Sequence, residues 1–375
     1  MRVGLLTWGT EGDVRPFLAL AGALAQRGHA VSVSYTSVEG RDFDALAAAC
    51  GVTATSVASD YFRDHRERLH KLAAESLRRS PPVQLELILR DLLDPIADAL
   101  LQHALDVAAR SDVIAGHILA HPFATAAAKV GVPYAAVALQ PVFRSKHYPP
   151  AGAGNAGRYF NSWLWRIADW VMRRALDPRI ARQRSALGLA PEHFDASRAE
   201  ATRPALLAVS PSLFPRPDDW SEHIVTTGFL AMPADGERWE PDDALCHFLD
   251  AGAPVFASFG SMFTLDTRHA REAVEVFVDA ARRAKVRLVV QCPSEVSQGI
   301  SAHDDVCFIT RAPHDQLFPR CSLLVHHGGA GTTQSALRAG RPSVVVPHVA
   351  DQFYWADALC AQGVASKPLP RTRLR

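Results

Sequence analysis

The feature that most restricts the fold is a pattern that occurs twice. Val3-Gly-Leu-Leu-Thr-Trp8 is a short apolar run, a glycine-bearing loop follows, and from Pro16 to Arg27 apolar residues recur at helical spacing. Ala30 to Tyr35 then alternates apolar with small polar residues, which predicts a second strand reached by a right-handed crossover, hence a parallel sheet. The same unit restarts at Val255-Phe-Ala-Ser-Phe259, with a loop at Gly260-Ser261, a helix from about Arg268 to Ala284 and a strand at Arg287 to Gln291. Further strands are predicted at Val113–Ala115, Tyr134–Leu139 and Ala205–Val209, and then at Val306–Ile309, Leu323–His326 and Ser343–Val346. Helices are predicted over Leu69–Arg79, Leu85–Ala109 and Ser162–Leu176. Between the halves, Pro233-Ala-Asp-Gly-Glu-Arg-Trp-Glu-Pro241 turns to Pro, Gly and charge, as an exposed linker does. A chain of 375 residues, 48% hydrophobic, has the material for two cores. The expectation is α/β: two Rossmann-like doubly wound domains, residues 1–232 and 244–375, joined by a linker at 233–243. Such domains, facing each other, leave a cleft between their carboxyl strand ends, where open α/β sheets bind ligands.

Charge narrows the partners. Lys and Arg number 40 against 39 Asp and Glu, a formal net charge of +1, so no broad field exists to grip nucleic acid or an anionic membrane. At most peripheral membrane contact is expected. Six cysteines lie far apart with no CxxC pair, which reads as scattered thiols of a reducing compartment without disulfide or structural zinc. The first apolar run is too short for a signal peptide and Gly9 interrupts it; no later stretch is long enough to span a bilayer. A cytoplasmic monomer or weak homodimer is expected.

The most informative segment is Leu323-Leu-Val-His-His-Gly-Gly-Ala-Gly-Thr-Thr333, an apolar strand running into three glycines within four residues and then a helix. That arrangement suits a diphosphate. Glycines let the backbone approach the ligand with its N–H groups, the positive end of the helix dipole faces the anion, Thr332 or Thr333 adds a hydroxyl, and His327 donates a further hydrogen bond. No GK[ST] follows, which sets the loop apart from kinase and ATPase loops. A bare strand-to-helix turn that merely needs glycines has the same local composition, so the flanking residues decide.

HHGGAGTT, followed by Pro347-His-Val-Ala-Asp-Gln352, resembles the nucleotide-sugar signature of the GT-B glycosyltransferases that glycosylate natural products, macrolides, glycopeptides, flavonoids and sterols. The resemblance implies that His327, Gly328, Gly329, Gly331, Thr332 and Thr333 hold the donor diphosphate. It implies that Asp351 and Gln352 bond the donor sugar's hydroxyls. Arg311-Ala312-Pro313-His314 stands where plant members carry a tryptophan that stacks on uracil; the arginine departs from that pattern and leaves the base open between uracil and thymine. Ser258-Phe-Gly-Ser261 resembles the family's SFGS turn, so Ser261 would reach the phosphates. The resemblance implies a UDP-sugar or dTDP-sugar as co-substrate, with no cofactor and no metal; the single DxD, Asp42-Phe-Asp44, reads as a surface helix start.

Transfer to a hydroxyl needs a base for its proton. Asp13, in Thr7-Trp-Gly-Thr-Glu-Gly-Asp-Val-Arg-Pro16, is placed on the loop before the first helix and resembles the catalytic residue of the family's GSxGDVxP element; spacing alone reads it as a helix cap. Partial burial beside Trp8 and the acceptor is expected, with the carboxyl pKa raised. Base and diphosphate on opposite faces of the sugar imply inversion at the anomeric carbon. Around the acceptor, Trp8, His117, His121 and Trp163 are candidates, His117 and His121 because they flank the strand end after Val113; structural histidines fit equally. Trp163, Ile167, Trp170 and Val171 share a helical face whose default role is packing against the domain, with an acceptor wall or a membrane-facing helix as the sharper alternatives. Pro141 to Gly157, rich in Pro and Gly, reads as a mobile loop over a small, lipophilic acceptor. Family members continue beyond a segment such as Lys367-Pro-Leu-Pro-Arg-Thr-Arg-Leu374 with further helices, and an auxiliary, non-catalytic relative is the rival reading. Epimerisation, lipid-intermediate synthesis and a dehydrogenase follow, the last disfavoured because Gly9-Thr-Glu-Gly12 lacks a full GxGxxG.

Overall fold

The computed structural model describes all residues except 77, 78, 202, 233–238, 261, 266, 301, 302 and 375, and the backbone alone at helical positions 70, 73, 74, 76, 264, 265, 267, 268 and 350. Two compact units result, one of Met1–Leu69 with Arg78–Gly236 and one of His70–Leu77 with Glu237–Arg375. The chain changes unit inside the Pro- and Gly-bearing segment, of which 233–238 lie outside the described residues; no compositional signal had marked His70–Leu77 as belonging with the second unit.

The first unit is built on seven strands, β1 (Arg2–Gly9), β2 (Ala30–Ser37), β3 (Ala54–Ser56), β4 (Val113–His117), β5 (Tyr134–Ala138), β6 (Ala205–Leu207) and β7 (Ile224–Thr226). All pairings are parallel, in the order β3-β2-β1-β4-β5-β6-β7. The second unit has β8 (Val255–Ser258), β9 (Leu288–Gln291), β10 (Val306–Ile309), β11 (Leu323–His326) and β12 (Ser343–Val345), parallel in the order β10-β9-β8-β11-β12. Helices named below are α1 (Glu11–Gln26), α2 (Ala97–Ala109), α3 (His121–Val130), α4 (Arg158–Ala186), α5 (Thr267–Ala284), α6 (Ala330–Arg338) and α7 (Ala350–Ala361).

Burial on both faces explains why the strands read as apolar runs. In the second unit Phe256, Val289 and Leu324 enter one core with Leu317 and Phe318, while Ala257, Leu288 and Val290 enter another with Phe263, Val274 and Phe277 of α5. In the first, Leu5, Val33 and Tyr35 pack on Val14, Phe17 and Leu18 of α1.

Three sequence expectations change. The stretch expected as one helix from Leu85 to Ala109 is broken into Pro81–Ile88, a π-turn at Leu89–Leu93, a 3-10 turn at Asp94–Ile96 and α2. Pro95 lacks the N–H that would continue the ladder, so the turns before it widen and tighten. On α4 the packing face is Asn161, Trp165, Leu176, Ile180 and Gln183, whereas Trp163, Ile167 and Trp170 are 51%, 41% and 63% exposed. The two faces differ little in apolarity, and the Trp165 indole N–H bonded to Tyr148 O at 2.8 Å selects between them. Part of the segment expected to be a mobile loop is pinned: the Ser145 hydroxyl and Lys146 N–H donate to Asp219 at 3.0 and 2.6 Å, and the Tyr148 hydroxyl donates to Pro215 O at 3.0 Å.

Gly22 tests the α1 packing. A methyl there would lie 2.8 Å from the Cys50 carbonyl oxygen and 3.1 Å from Cys50 Cβ. Alanine gains about 1 kcal/mol of helix propensity, but a backbone contact must move, and overpacking costs about 1–3 kcal/mol. Gly22→Ala should lower the denaturant midpoint without changing its slope; a raised midpoint would show the helix free to shift.

Candidate active site

In an open parallel sheet, ligands bind where consecutive crossovers turn in opposite directions. In the first unit that point lies between β1 and β4, and it gathers Trp8, Asp13 and His117. Asp13 is not in the loop before the helix: α1 begins at Glu11, and Asp13 occupies its third position. The reason is a capping box. Asp13 Oδ2 accepts from the Thr10 N–H at 2.8 Å and the Thr10 hydroxyl at 3.0 Å, and the Thr7 hydroxyl donates to Asp13 O at 3.1 Å. Gly9, at φ +137°, makes this fold-back feasible, since a Cβ there would overlap the Asp13 carboxylate. The remaining oxygen, Oδ1, faces His117 Nε2 at 3.8 Å, the Asp13 side chain being 31% exposed.

His117 ends β4, buried, edge-on to Trp8 with ring centroids 6.4 Å apart. Its Nδ1 faces the Leu119 N–H at 3.4 Å, which assigns the proton to Nε2, the nitrogen toward Asp13. Burial pushes the His117 pKa below its ordinary value, with Asp13 pulling the other way, so the ring is neutral. Trp8 is buried with its indole N–H unpartnered.

The second unit's switch point lies between β8 and β11, where Phe259-Gly260 and His327-Gly328-Gly329 meet. Gly328 has φ +87°, and a Cβ there would lie 2.8 Å from Val345 Cγ1 and 3.0 Å from Gln352 O. Gly329 precedes α6, whose first-turn N–H groups, those of Ala330, Gly331 and Thr332, have no preceding carbonyl to bond. Around Gly331 nothing lies within 4 Å of a built Cβ, so packing does not require a glycine there. The His327 ring is buried between Gly260 and Gly329, whose Cβ positions lie 3.2 Å from its Cε1 and 2.5 Å from its Nε2; its Nδ1 has no partner. Burial, reinforced by the neighbouring histidines, holds its pKa down to about 3. Thr333 is fully buried with its hydroxyl unpartnered.

His326 was not singled out from the sequence. It is fully buried, its Nδ1 accepts from Gly328 N at 3.1 Å, and burial lowers its pKa to about 3. It shapes the glycine turn from below; the doubled histidine was the available signal.

Asp351 and Gln352 open α7. Gln352 is buried, and its Oε1 accepts from the His348 and Val349 N–H groups at 2.7 and 3.2 Å, so its carbonyl caps the helix and only its amide N–H groups are left to meet a ligand. Arg311, Ala312 and Pro313 follow β10, the edge strand: Arg311 exposed, the other two buried. Ser261 lies outside the described residues. The Asp42-Phe-Asp44 pair is a helix start, the Asp44 N–H donating to Asp42 Oδ1 at 2.7 Å. Two acceptor candidates go elsewhere. His121 opens α3 with both ring nitrogens buried and unpartnered, its pKa lowered by burial to about 4, and faces a recess bounded by Thr125, Tyr134, Ile180 and Arg203. Four residues after His117, at the first position of a new helix, His121 has turned away from the strand end that holds His117. Trp163 is exposed on α4, stacked on Phe160. No helix among the described residues is long and apolar enough to cross a membrane.

Comparison with known proteins agrees with this fold. Residues 275–372 match the family model of the erythromycin biosynthesis protein CIII-like C-terminal domain. The chain is 33% identical over 393 residues to an O-mycaminosyltylonolide 6-deoxyallosyltransferase of Streptomyces fradiae, covering all of this chain and 87% of that protein. It is 27% identical over 398 residues to a sterol 3-beta-glucosyltransferase of Arabidopsis thaliana, of which it spans 61%. The crystal structure of glycosyltransferase VinC in complex with dTDP superposes with a TM-score of 0.66 at 21% identity, covering all of this chain and 88% of VinC. With two parallel-sheet units of this topology and that identity along its whole length, the chain belongs to the UDP-glycosyltransferase family and has the GT-B fold.

Proposed function

We propose that the protein transfers a hexose or deoxyhexose from a UDP- or dTDP-sugar to a hydroxyl of a small lipophilic acceptor, without a metal and with inversion at the anomeric carbon. The observation that carries this reading is that each unit presents, at its own switch point, one half of the chemistry. The second unit offers an anion site made of free first-turn N–H groups, a glycine with open space beside it and a neutral imidazole. The first offers a carboxylate oxygen and an imidazole N–H 3.8 Å apart. That separation is too long for a mutual hydrogen bond, but a hydroxyl oxygen about 2.8 Å from each atom fits between them.

In the proposed reaction the acceptor hydroxyl donates to Asp13 Oδ1 and accepts from His117 Nε2–H. Its proton passes to Asp13 as the oxygen bonds the anomeric carbon, and the bond from that carbon to the β-phosphate oxygen breaks with its electron pair leaving on the diphosphate. The α6 dipole and the Ala330, Gly331 and Thr332 N–H groups receive the charge, and His327 donates as a neutral ring. Asp351 and the Gln352 amide would hold the sugar, Thr333 lying just behind the phosphate-facing turn, and Arg311 would lie against the base. Support for the donor comes from VinC, seen with dTDP, and for a lipophilic acceptor from the relatives named for a macrolide and a sterol.

Two glycines separate binding from folding. Gly331→Ala should leave thermal stability unchanged or slightly raised, yet weaken UDP or dTDP binding about tenfold or more by calorimetry, a change of about 1.4 kcal/mol; Gly328→Ala should instead destabilise the fold. Undiminished nucleotide affinity in Gly331→Ala would remove the loop from the donor site. Asp13→Asn keeps an acceptor for Thr10, so it should fold and bind nucleotide while losing about 100-fold or more in turnover, the usual worth of a positioned base; full turnover in that variant would reject Asp13.

The neutral histidines also set a pH dependence. His326 and His327 are held near 3 and His348 near 4, all by burial first, against an ordinary value near ~6.5. Between about pH 6.5 and 4 the unfolded chain therefore binds more protons than the folded one. Stability from these rings is complete above the ordinary value and falls as pH drops through that window, by up to about 1.4 kcal/mol per pH unit for each. Denaturant unfolding at pH 7 and pH 5 checks the sign: equal midpoints would place these rings in contact with solvent.

A further inference from the structure

The first part of α4 carries an exposed ridge that the proposed transfer does not use. Tyr159, Phe160, Trp163, Ile167 and Trp170 are 96%, 44%, 51%, 41% and 63% exposed. At 100° per residue, Tyr159, Trp163, Ile167 and Trp170 fall within about 80° of arc and span about 17 Å of helix. Phe160 stacks on Trp163 with ring centroids 5.5 Å apart, and the Arg174 guanidinium lies 5.9 Å over the Trp170 ring. Soluble proteins rarely leave a contiguous aromatic and aliphatic patch of this kind exposed unless a partner or a membrane covers it.

Charge identifies what would cover it. The helix sequence contains seven arginines and two aspartates. Both aspartates are engaged: Asp169 pairs with Arg144 at 3.3 Å, and Asp177 accepts from the Phe194 N–H at 2.8 Å and faces His193 at 2.7 Å. Arg166 and Arg174 are exposed along the ridge. Tryptophan and tyrosine beside arginine, on one side of a helix with no available carboxylate, is the composition of a segment lying in the interface of an anionic bilayer. A second copy fits poorly, because a two-fold pairing of this ridge sets its arginines against themselves. A protein partner needs about 800 Å² per side, whereas five partly exposed side chains on a convex ridge offer on the order of a few hundred.

We infer that the Tyr159–Arg174 face of α4 is a peripheral membrane-binding surface that seats the protein on anionic lipid. Its aromatic rings enter the headgroup region and Arg166 and Arg174 meet lipid phosphates. The inference is independent of the donor and acceptor assigned above. The small net charge of the whole chain does not oppose it, because the attraction is set by charge within a Debye length of the surface.

The full chain is to be sedimented with vesicles of phosphatidylcholine alone and of phosphatidylcholine mixed with phosphatidylglycerol. Binding is expected to the mixed vesicles, weakened by added salt. Trp163→Ser with Trp170→Ser should lower the partition coefficient about tenfold or more, and Arg166→Gln and Arg174→Gln about fivefold each. Melting temperatures should stay unchanged, because all four side chains are exposed. Absence of binding to mixed vesicles, or binding that these variants leave intact, would overturn the inference. So would a dimer in lipid-free sedimentation equilibrium that the tryptophan variants dissociate, which would give the face to a second copy.

Discussion

Parallel pairing is the constraint from which the rest follows. Strands that all run one way must each be reached by a crossover, so every strand-to-helix loop in a unit emerges on the same edge of its sheet. The order β3-β2-β1-β4 in one unit and β9-β8-β11-β12 in the other reverses the winding once in each, and the reversal opens a crevice between two neighbouring loops. Asp13 and His117 meet in one crevice, Gly260 and His327 in the other. Neither pair is close in sequence; sheet order alone joins them.

The local chemistry of both crevices depends on close backbone approach. Gly9 admits the folded-back carboxylate of Asp13, and Gly328 admits Val345 and the start of α7. Tight loops then bury polar atoms that have no internal partner: the Trp8 indole N–H, His326 Nε2, His327 Nδ1 and the Thr333 hydroxyl. Buried unpaired groups each cost about 1–3 kcal/mol, and a folded chain tolerates them where a ligand completes them. These four lie at the two switch points, while others, among them both His121 ring nitrogens and the Thr226 hydroxyl, lie elsewhere. The same burial keeps the imidazoles neutral, so the proposed anion site would rely on N–H dipoles rather than fixed charge.

One helix shows how local pattern and tertiary choice divide. Helix α4 has aromatic residues on two sides, and periodicity alone does not say which side packs. The hydrogen bond from Trp165 to Tyr148 and the burial of Leu176 and Ile180 decide for one, leaving Trp163 and Trp170 outside with the arginines. The first part of the expected mobile loop is held for a related reason: Pro and Gly content is local, but the Asp219 carboxylate that pins Ser145 and Lys146 comes from 74 and 73 residues away.

The sequence by itself determined the α/β class, the two occurrences of the crossover unit, the bounds of β10 and β11, and the glycine loop with its family. These depend on near neighbours, on apolar period and on residues such as glycine whose backbone freedom is intrinsic. Tertiary structure decided that Asp13 lies within a helix as a capping residue with one oxygen to spare, that His117 joins it while His121 turns to another recess, that Gln352 caps α7, and that His326 supports the loop. Each of those outcomes depends on groups far apart in the chain, brought together by strand order and by burial, and neither quantity is carried by any short window of sequence.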